Sequence, residues 1–404
     1  MPISARSADV KSSFIKREKA DEKRTAAVTA AEIALHAAAA AEAESTENGN
    51  SADNLSFRYG GTLMQKDRFI TLAIESSCDD TGIALLDGGS RVLANALSSQ
   101  IDSHSQYGGV VPELASRMHQ EAIIPLLNAT LSEAGITDPK SEIDLIAVTA
   151  GPGLMGSLLV GVMTAKALSQ GWQVPLIGVN HLEGHIFASV AANEGLKPPF
   201  ISVIVSGGHT ELVHVRDFGD YTLLGSTRDD AAGEAFDKVA KVLELGYPGG
   251  PIIDRLAKHG DPNAYRLPTP LSNTDEIEFS FSGLKTAAAT LIGKLRKEEA
   301  ELPVENICAS FQKAVIESLA GKIMLAVKNT NVRRITLSGG VAANSALRTR
   351  LSEIAEQEGT ELFLPPVSMC TDNAVMIAAA GYSAYGRGIV SGLSLSPDPS
   401  WEIW

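Results

Sequence analysis

Two histidines stand four residues apart in the segment VNHLEGHIFAS at 179–189, and this spacing could hold a metal ion. At about 100° per residue, His181 and His185 share one side of a helix, so both imidazoles could reach one ion. Glu183, between them, lies on the opposite face. A zinc protease with the HExxH pattern instead places its glutamate beside the ligands, where it acts as general base. The pair therefore indicates either half of a metal site or two core or capping histidines.

A metal site needs a third ligand, and the sequence offers two candidates. Asp372 lies in SMCTDNA, at the start of the last predicted helix. His209 directly follows a glycine pair in VSGGHT. Carboxylate oxygen and imidazole nitrogen are both ordinary ligands of zinc and iron, so residue type alone leaves both open.

Two SGG triplets, at 206–208 and 338–340, each follow an apolar strand. Gly207 and Gly208 would let the backbone approach a ligand closely. A helix beginning after the second triplet would present free N–H groups to an anion. These features favour a nucleotide site over simple turns. The chain has no GxxxxGK[ST], so it is not a P-loop protein.

Three further segments could contribute polar groups. The hairpin ESSCDDTG at 75–82 could point hydroxyls and N–H groups at phosphate or a metal, or be only a polar turn. Glu234 and Asp237 share a helix face, and GYPGGPIID follows with Asp254. These carboxylates suit ribose hydroxyls, or form a solvated acidic face. The glycines of GPGLMG at 151–156 suit close helix–sheet packing, since GxGxxG is not present.

The elements that must position these residues alternate between strands and helices, which indicates an α/β fold. RFITLAIESSCDDTGIALLDGG and PFISVIVSGGHTELVHVRD both predict strand, polar turn, strand. This recurrence suggests a duplicated core. The segment NEGLKPPF at 193–200 is the expected boundary between the two halves.

Composition narrows the class of protein. A chain of 404 residues suggests two or three domains, and the net charge of −14 argues against broad non-specific nucleic-acid binding. The three cysteines are widely spaced, as in a reducing compartment, and no apolar run is long enough to span a membrane. Residues 1–66, with an alanine run and a polar stretch, are expected to be a disordered extension, and either Met1 or Met64 could be the true start.

Several motifs occur together in the order typical of one family. They are ESSCDDTGIAL, GGVVPELASRMH, GPGLMGSLLVGV, NHLEGH, VSGGHTELV, GEAFDKVAKVLELGYPGGPIID, FSFSGLKT, SGGVAANSALR and TDNAVMIA, which cover about residues 69–390. The chain therefore resembles the tRNA threonylcarbamoyladenosine transferases of bacteria and organelles, once described as O-sialoglycoprotein endopeptidases.

The resemblance implies a two-lobed actin/sugar-kinase/Hsp70-like α/β fold with a nucleotide cleft. It implies a first lobe over 67–198, a second lobe over 199–370, and a C-terminal helix and tail over 371–404 that return to the first lobe. It also implies one divalent metal ion per subunit, with iron favoured over zinc, held by His181, His185 and Asp372. The residues that it assigns to substrate or nucleotide binding are Ile204, Val205, Ser206, Gly207, Gly208, Asp237, Gly250, Asp254 and Asn344.

The implied reaction moves the threonylcarbamoyl group from threonylcarbamoyl-AMP to N6 of adenosine 37 in tRNAs that read ANN codons. Implied partners are tRNA, and either a paralogous subunit with a P-loop ATPase subunit or a second copy of the chain. The expected location is cytoplasmic, with mitochondrial as the alternative. A metalloprotease is the alternative enzyme, and a nucleotide-gated chaperone module the alternative of another class. No general base is assigned, and the role of Glu183 is open.

Overall fold

The computed structural model describes residues 57–59, 62–64, 68–272 and 274–404. The chain divides into two units, Met1–Gln65 and Lys66–Trp404. In the first unit, strands β1 (Phe57–Tyr59) and β2 (Thr62–Met64) pair antiparallel, a hairpin that the sequence analysis did not anticipate. The predicted disorder of 1–66 otherwise concerns residues outside the described part of the chain.

The first sheet of the second unit has five strands, in the order β5-β4-β3-β6-β7. β3 pairs antiparallel with β4 and parallel with β6, while β4–β5 is antiparallel and β6–β7 parallel. The five strands are β3 (Ile70–Glu75), β4 (Asp80–Asp87), β5 (Arg91–Ser99), β6 (Leu145–Gly151) and β7 (Leu176–Asn180).

The second sheet repeats this arrangement, in the order β10-β9-β8-β11-β12. β8–β9 and β9–β10 are antiparallel, whereas β8–β11 and β11–β12 are parallel. Its strands are β8 (Phe200–Val205), β9 (Thr210–Asp217), β10 (Asp220–Ser226), β11 (Arg334–Ser338) and β12 (Glu361–Phe363). The matching order and direction of all five strands confirm the predicted fold class, two related α/β halves of the actin/sugar-kinase/Hsp70-like type.

Eleven α-helices connect and cover the sheets in the described part of the chain. They are α1 (Ile101–Ser105), α2 (Pro112–Glu133), α3 (Pro139–Glu142), α4 (Met155–Trp172), α5 (His181–Ala192), α6 (Ala232–Val242), α7 (Gly249–Ala257), α8 (Ser282–Glu298), α9 (Val304–Thr330), α10 (Ser345–Glu358) and α11 (Ala374–Gly386). Among these helices, none is long and apolar enough to cross a membrane.

Strand alternation distributes the core over both faces of the first sheet. Ile70, Leu72 and Ile74 of β3 belong to a cluster with α2 and α4. Ala73, on the other face, belongs to a cluster with α5 and α11. Small residues allow close approach here, since a Cβ on Gly161 of α4 would lie 2.3 Å from the Ser76 hydroxyl. The residues that follow β3 therefore pack tightly against α4.

Helix α5 lies between the two sheets. Its Phe187 and Ala188 join the cluster on the first sheet. Its Leu182 and Ile186 join a cluster with Phe200 and other residues of the second sheet. The helix that carries both site histidines is therefore held from both sides by buried apolar side chains.

Asp229 and Asp230 precede α6, and both are residue types that commonly cap a helix. The cap position of α6 is instead Ala231. Asp229 accepts hydrogen bonds from the backbone N–H groups of Phe281 and Ser282, so it caps α8. Side chains that cap distant helices look the same in sequence as those that cap the next one.

Candidate metal centre and adjoining cleft

Helix α5 begins at His181 because Asn180 caps it. The Asn180 side-chain oxygen accepts the N–H of Leu182 at 2.8 Å, which satisfies one of the free donors of the first turn. His181 and His185 are 5% and 0% exposed, and their rings lie 4.7 Å apart between centroids. The predicted helical pairing of the two imidazoles is thus present.

Asp372 joins the histidines from the loop before α11, where Asn373 caps the helix through the N–H of Met376. Asp372 Oδ1 lies 3.4 Å from His181 Nε2 and 3.3 Å from His185 Nε2. A quarter of the Asp372 side chain is exposed, so the cluster opens to solvent on this side. Of the two candidate third ligands, the structure brings in Asp372.

The donor set fits one metal ion. One ligand atom from each of His181, His185 and Asp372 lies within 4.8 Å of the others. An ion bound tetrahedrally at about 2.0–2.1 Å separates its ligands by about 3.3–3.4 Å, close to the two nitrogen–oxygen distances above. In addition, neither ring nitrogen of His185 makes a well-formed hydrogen bond among the described residues, although the ring is fully buried. An imidazole placed in this way suits a metal ligand.

Glu75, at the buried end of β3, orients His181. Its Oε2 lies 3.1 Å from His181 Nδ1 and accepts the Thr149 hydroxyl at 2.6 Å. Its Oε1 accepts the N–H of Ser77 at 2.6 Å. An ionised carboxylate only accepts, so His181 must carry its proton on Nδ1. When the His181 ring is neutral, the lone pair on Nε2 then points towards Asp372, as a metal ligand requires.

The electrostatics of the cluster favour a positive charge at His181. Burial alone would lower the pKa of His181, but the carboxylates of Asp372 and Glu75 raise it well above its usual value. Burial alone would likewise raise the pKa of Asp372 and Glu75, but the charge of His181 holds both below their usual values. Two carboxylates around one imidazole stabilise a cation at this point, whether a proton or a metal carries the charge.

Glu183 faces away from the cluster, as the helical geometry predicted. Its Oε1 accepts the Tyr221 hydroxyl at 2.7 Å and the Arg387 guanidinium at 3.1 Å. Tyr221 belongs to β10 in the second sheet, and Arg387 follows α11. Glu183 therefore links α5 to the second sheet and to the residue that follows the last helix, which is a structural role.

The predicted substrate residues at 204–208 form the end of β8 and the turn after it. Ile204 and Val205 are fully buried, and the Ser206 hydroxyl accepts the N–H groups of Gly208 and His209. A Cβ on Gly207 or Gly208 would meet no atom within 4 Å, so there is open space above the turn. The second SGG lies beside the first, because a Cβ on Gly339 would come within 2.4 Å of the Val205 carbonyl oxygen.

Asp237 and Gly250 meet at the start of α7. Asp237 Oδ1 accepts the N–H of Gly249 at 2.7 Å. Burial raises the pKa of Asp237, although the N–H groups of Gly249 and Gly250 oppose the shift. A Cβ on Gly250 would point into open space. The carboxylate thus holds the glycine loop in place and lies close to open space.

Asp254 and Asn344 lie together at the start of α10. The Asp254 carboxylate accepts the Ser345 hydroxyl at 2.9 Å. Asn344 caps α10 through the N–H of Leu347, and its amide donates to Gln312 at 2.7 Å. An opening of about 410 Å³ lies beside this pair, with Gln312, Ser345 and Arg350 among its walls.

His209 lies beside the cluster without joining it. Its ring centroid is 6.5 Å from that of His181. Burial, followed by the charges of His181 and His185, lowers the pKa of His209 to about 4, so the ring is neutral at pH 7. Since His209 directly follows the glycine turn of 206–208, this contact brings the turn next to the three candidate ligands.

Sequence reasoning missed three residues of this region. Glu75 was quoted only as part of a polar turn, although an acid that ends the apolar strand ITLAIE is a signal of a buried functional carboxylate. Asn180 was not singled out, although it is a good cap residue before a helix. Ser345 gave no signal, because its partner Asp254 is 91 residues away.

Comparison with known proteins assigns the family. The profile of the family described as tRNA N6-adenosine threonylcarbamoyltransferase matches residues 91–379. The chain belongs to this family. It is 50% identical over 334 residues to the tRNA N6-adenosine threonylcarbamoyltransferase of Clostridioides difficile (strain 630), covering 83% of this chain and 98% of that one. It is 51% identical over 333 residues to that of Anaeromyxobacter sp. (strain Fw109-5), covering 82% and 99%.

Solved structures support the fold alone. Full-length HypF in its phosphate- and nucleotide-bound form matches with a TM-score of 0.53 and 14% identity, over 79% of this chain and 56% of that chain. HypF of T. kodakarensis matches with a TM-score of 0.51 and 16% identity, over 79% and 48%. The family and the fold thus agree with the resemblance stated from the motifs.

Proposed function

We propose that this enzyme transfers the threonylcarbamoyl group of threonylcarbamoyl-AMP to N6 of adenosine 37 in tRNAs that read ANN codons, with AMP as the leaving product. The observation that carries the proposal is the meeting of His181, His185 and Asp372 beside the glycine turn of 206–208. In addition, the chain is 50% identical over 334 residues to a protein named tRNA N6-adenosine threonylcarbamoyltransferase.

The donor set suits one divalent ion per subunit, with iron favoured and zinc as the alternative. When bound, the ion would supply Lewis-acid polarisation of the carbamoyl carbonyl. Glu75 keeps the Nδ1 proton on His181, so that Nε2 remains available as a ligand. The exposed side of Asp372 leaves the cluster open to a substrate.

The other predicted residues hold the adenylate end of the donor. The open space above Gly207 and Gly208 would accept the AMP phosphate against backbone N–H groups. Asp237 and Asp254 would accept hydrogen bonds from ribose hydroxyls, with Gly250 and Asn344 beside them. The N6 nitrogen of adenine is a weak nucleophile because its lone pair is delocalised. Catalysis would therefore depend chiefly on holding donor and acceptor together.

The alternative enzyme, a metalloprotease, has no support from the position of Glu183. In a protease of the HExxH type, the glutamate acts beside the metal. Here it is engaged by Tyr221 and Arg387 on the other face of α5. Glu183 therefore does not fit the general base of peptide hydrolysis, and the nearby Glu75 is already engaged by His181, Thr149 and Ser77.

We propose that the enzyme works in the cytoplasm and engages tRNA with a paralogous subunit and a P-loop ATPase subunit, or as a homodimer. A stripe of exposed apolar residues on α4 supports a contact with another subunit. Met155, Leu159 and Met163 recur every four residues and are 51%, 46% and 53% exposed. Light scattering of the full chain, alone and with the candidate subunits, would separate a homodimer from a chain that needs other partners.

The test of the proposed function uses the full chain reconstituted with Fe²⁺ or Zn²⁺. Transfer from threonylcarbamoyl-AMP to tRNA is measured with and without the partner subunits, and bound metal is measured by mass spectrometry. His181→Ala should abolish metal binding and transfer while the circular dichroism spectrum is retained. His259→Ala removes an exposed histidine and serves as the matched control. Undiminished tRNA modification by His181→Ala would refute the metal role.

A further inference from the structure

The last seven residues of the chain, 398–404, cross the elements that support the metal cluster. The N–H of Asp398 donates to the carbonyl of Ala150 at 2.7 Å, and the carbonyl of Pro399 accepts the N–H of Gly153 at 3.3 Å. The carbonyl of Trp401 accepts the side-chain amide of Asn180 at 2.9 Å. We call residues 398–404 the C-terminal strap. Within the described part of the chain, the hydrogen bonds and ion pairs of the strap reach none of the three candidate ligands directly.

The first connection from the strap to the cluster runs through Asn180. This side chain is fully buried and makes two hydrogen bonds in opposite directions. Its oxygen caps α5 at the N–H of Leu182, and its nitrogen donates to Trp401. His181 is the next residue along the chain. The strap carbonyl therefore fixes the rotamer of the amide that sets the first turn of the metal-binding helix.

The second connection runs through the glycine loop at 151–153. A Cβ on Gly151 would lie 1.8 Å from the Asp398 carbonyl oxygen, so the strap backbone rests directly on this loop. The loop in turn holds Ser77, whose carbonyl accepts the N–H of Leu154 at 2.8 Å. The Ser77 hydroxyl lies 3.2 Å from His181 Nδ1. Strap, loop and hairpin thus form a continuous packed path to the imidazole.

Apolar contacts anchor the strap on two separate cores. Trp401 packs against the cluster between the first sheet and helices α2 and α4. Ile403 packs against the cluster that contains Leu182 and Ile186 of α5. Trp401 and Ile403 therefore anchor the strap in two different apolar clusters near the start of α5. This anchoring fixes the position of the strap carbonyl groups.

We propose that the C-terminal strap is a positioning element that holds His181 in its metal-binding orientation through Asn180 and the glycine loop. The proposal rests on the metal function proposed above. Asn180 is a positioning residue in this scheme, since it acts through α5 and touches neither metal nor substrate. Supporting groups around a ligating histidine typically contribute about 10-fold to 100-fold in metal affinity. We expect loss of the strap to weaken metal binding by about 10-fold.

Two perturbations test this. Asn180→Ser keeps an oxygen that can cap the helix but removes the amide that reaches Trp401. A chain that ends at residue 397 removes the strap. Asn193→Ser is the matched control, because Asn193 donates to Ser189 at the far end of the same helix. Co²⁺ affinity is measured by chelator competition, and the visible spectrum of bound Co²⁺ reports the geometry of its ligands.

The expected result is about a 10-fold weaker Co²⁺ affinity and an altered spectrum for Asn180→Ser and for the shortened chain, with Asn193→Ser unchanged. The combined variant should lose less than the product of the two effects, because both changes remove the same bond between Asn180 and Trp401. Unchanged affinity and spectrum in Asn180→Ser overturn the proposal, even where the shortened chain does not fold. If the loss of Co²⁺ affinity in the combined variant equals the product of the two single losses, the strap does not act through Asn180. If the parent chain and His181→Ala bind Co²⁺ equally, the metal function itself fails instead.

Discussion

Replacement of Glu75 by glutamine tests whether the tautomer of His181 is set by the protein. Glutamine has the same size, but one of its two ends donates. In one orientation the glutamine oxygen faces His181 and Thr149, and its NH₂ group faces the N–H of Ser77. Two donors then meet where Glu75 Oε1 now accepts that N–H at 2.6 Å. If the amide flips, its NH₂ group faces Nδ1 and favours the proton on Nε2, where the metal would bind. Either orientation loses a contact that Glu75 makes.

The expected loss follows from the contacts around His181. Orienting partners of metal-bound histidines contribute about 10-fold to 100-fold in affinity, which corresponds to about 1.4–2.8 kcal/mol. We expect Glu75→Gln to fall in this range for Zn²⁺ or Co²⁺, measured by competition with a chelator of known affinity. Glu142→Gln is the control, since Glu142 also accepts backbone N–H groups, from Thr137 and Asp138, but it lies in the short helix α3 and contacts none of the candidate ligands in the hydrogen bonds of the described residues. A metal affinity of Glu75→Gln within about threefold of the parent would refute the orienting role.

Two further substitutions separate support of the fold from support of the metal. Glu183→Ala should leave metal affinity unchanged but lower the free energy of unfolding by about 1–3 kcal/mol in urea denaturation, because it leaves Tyr221 and Arg387 without this acceptor. A roughly tenfold weaker metal affinity would contradict this. Burial, and then the charge of Glu402, raises the pKa of Glu211 from 4.5 to about 7. The ionised form is therefore disfavoured in the folded state, and the parent chain loses up to about 3 kcal/mol of stability as the pH rises from about 4.5 to 7. Glu211→Gln should match the parent near pH 4.5 and be more stable at pH 8; the same difference at both pH values in thermal denaturation would show that ionisation is not the cause.

Local signals in the sequence were enough for the strand–turn–strand units and for the histidine pair, though not for the β1–β2 hairpin. The run ITLAIE predicted a buried strand, and the spacing of His181 and His185 needed only the helical repeat. The contacts that complete the centre could not be found in this way, because they join residues far apart in the chain. Glu75 and His181 are 106 residues apart, and Asn180 and Trp401 are 221 apart. Such pairs depend on the order and register of strands, which local periodicity does not contain.

The ionisable groups show the same limit. An acid that caps a nearby helix and one that caps a distant helix have the same local sequence, so the sequence alone does not show that Asp229 caps α8 rather than α6. Likewise, the raised pKa of Glu211 depends on burial and on Glu402, which arrives with the end of the chain. The substrate residues, by contrast, came from the family motif. The structure brings them into neighbouring loops of the second half, and their roles remain a proposal.

The segment NHLEGH can now be explained position by position. Asn180 caps the helix, Leu182 packs against the second sheet, and Glu183 binds Tyr221 and Arg387. Gly184 has a different task. A Cβ there would lie 2.7 Å from the Cδ1 of Ile377 and 3.3 Å from Met376 of α11, so glycine lets the two helices pack closely with these side chains in place. Because Asp372 precedes α11 by two residues, that approach brings its carboxylate to 3.3 Å from His185. The glycine between the histidines therefore leaves room for the helix that follows the third ligand.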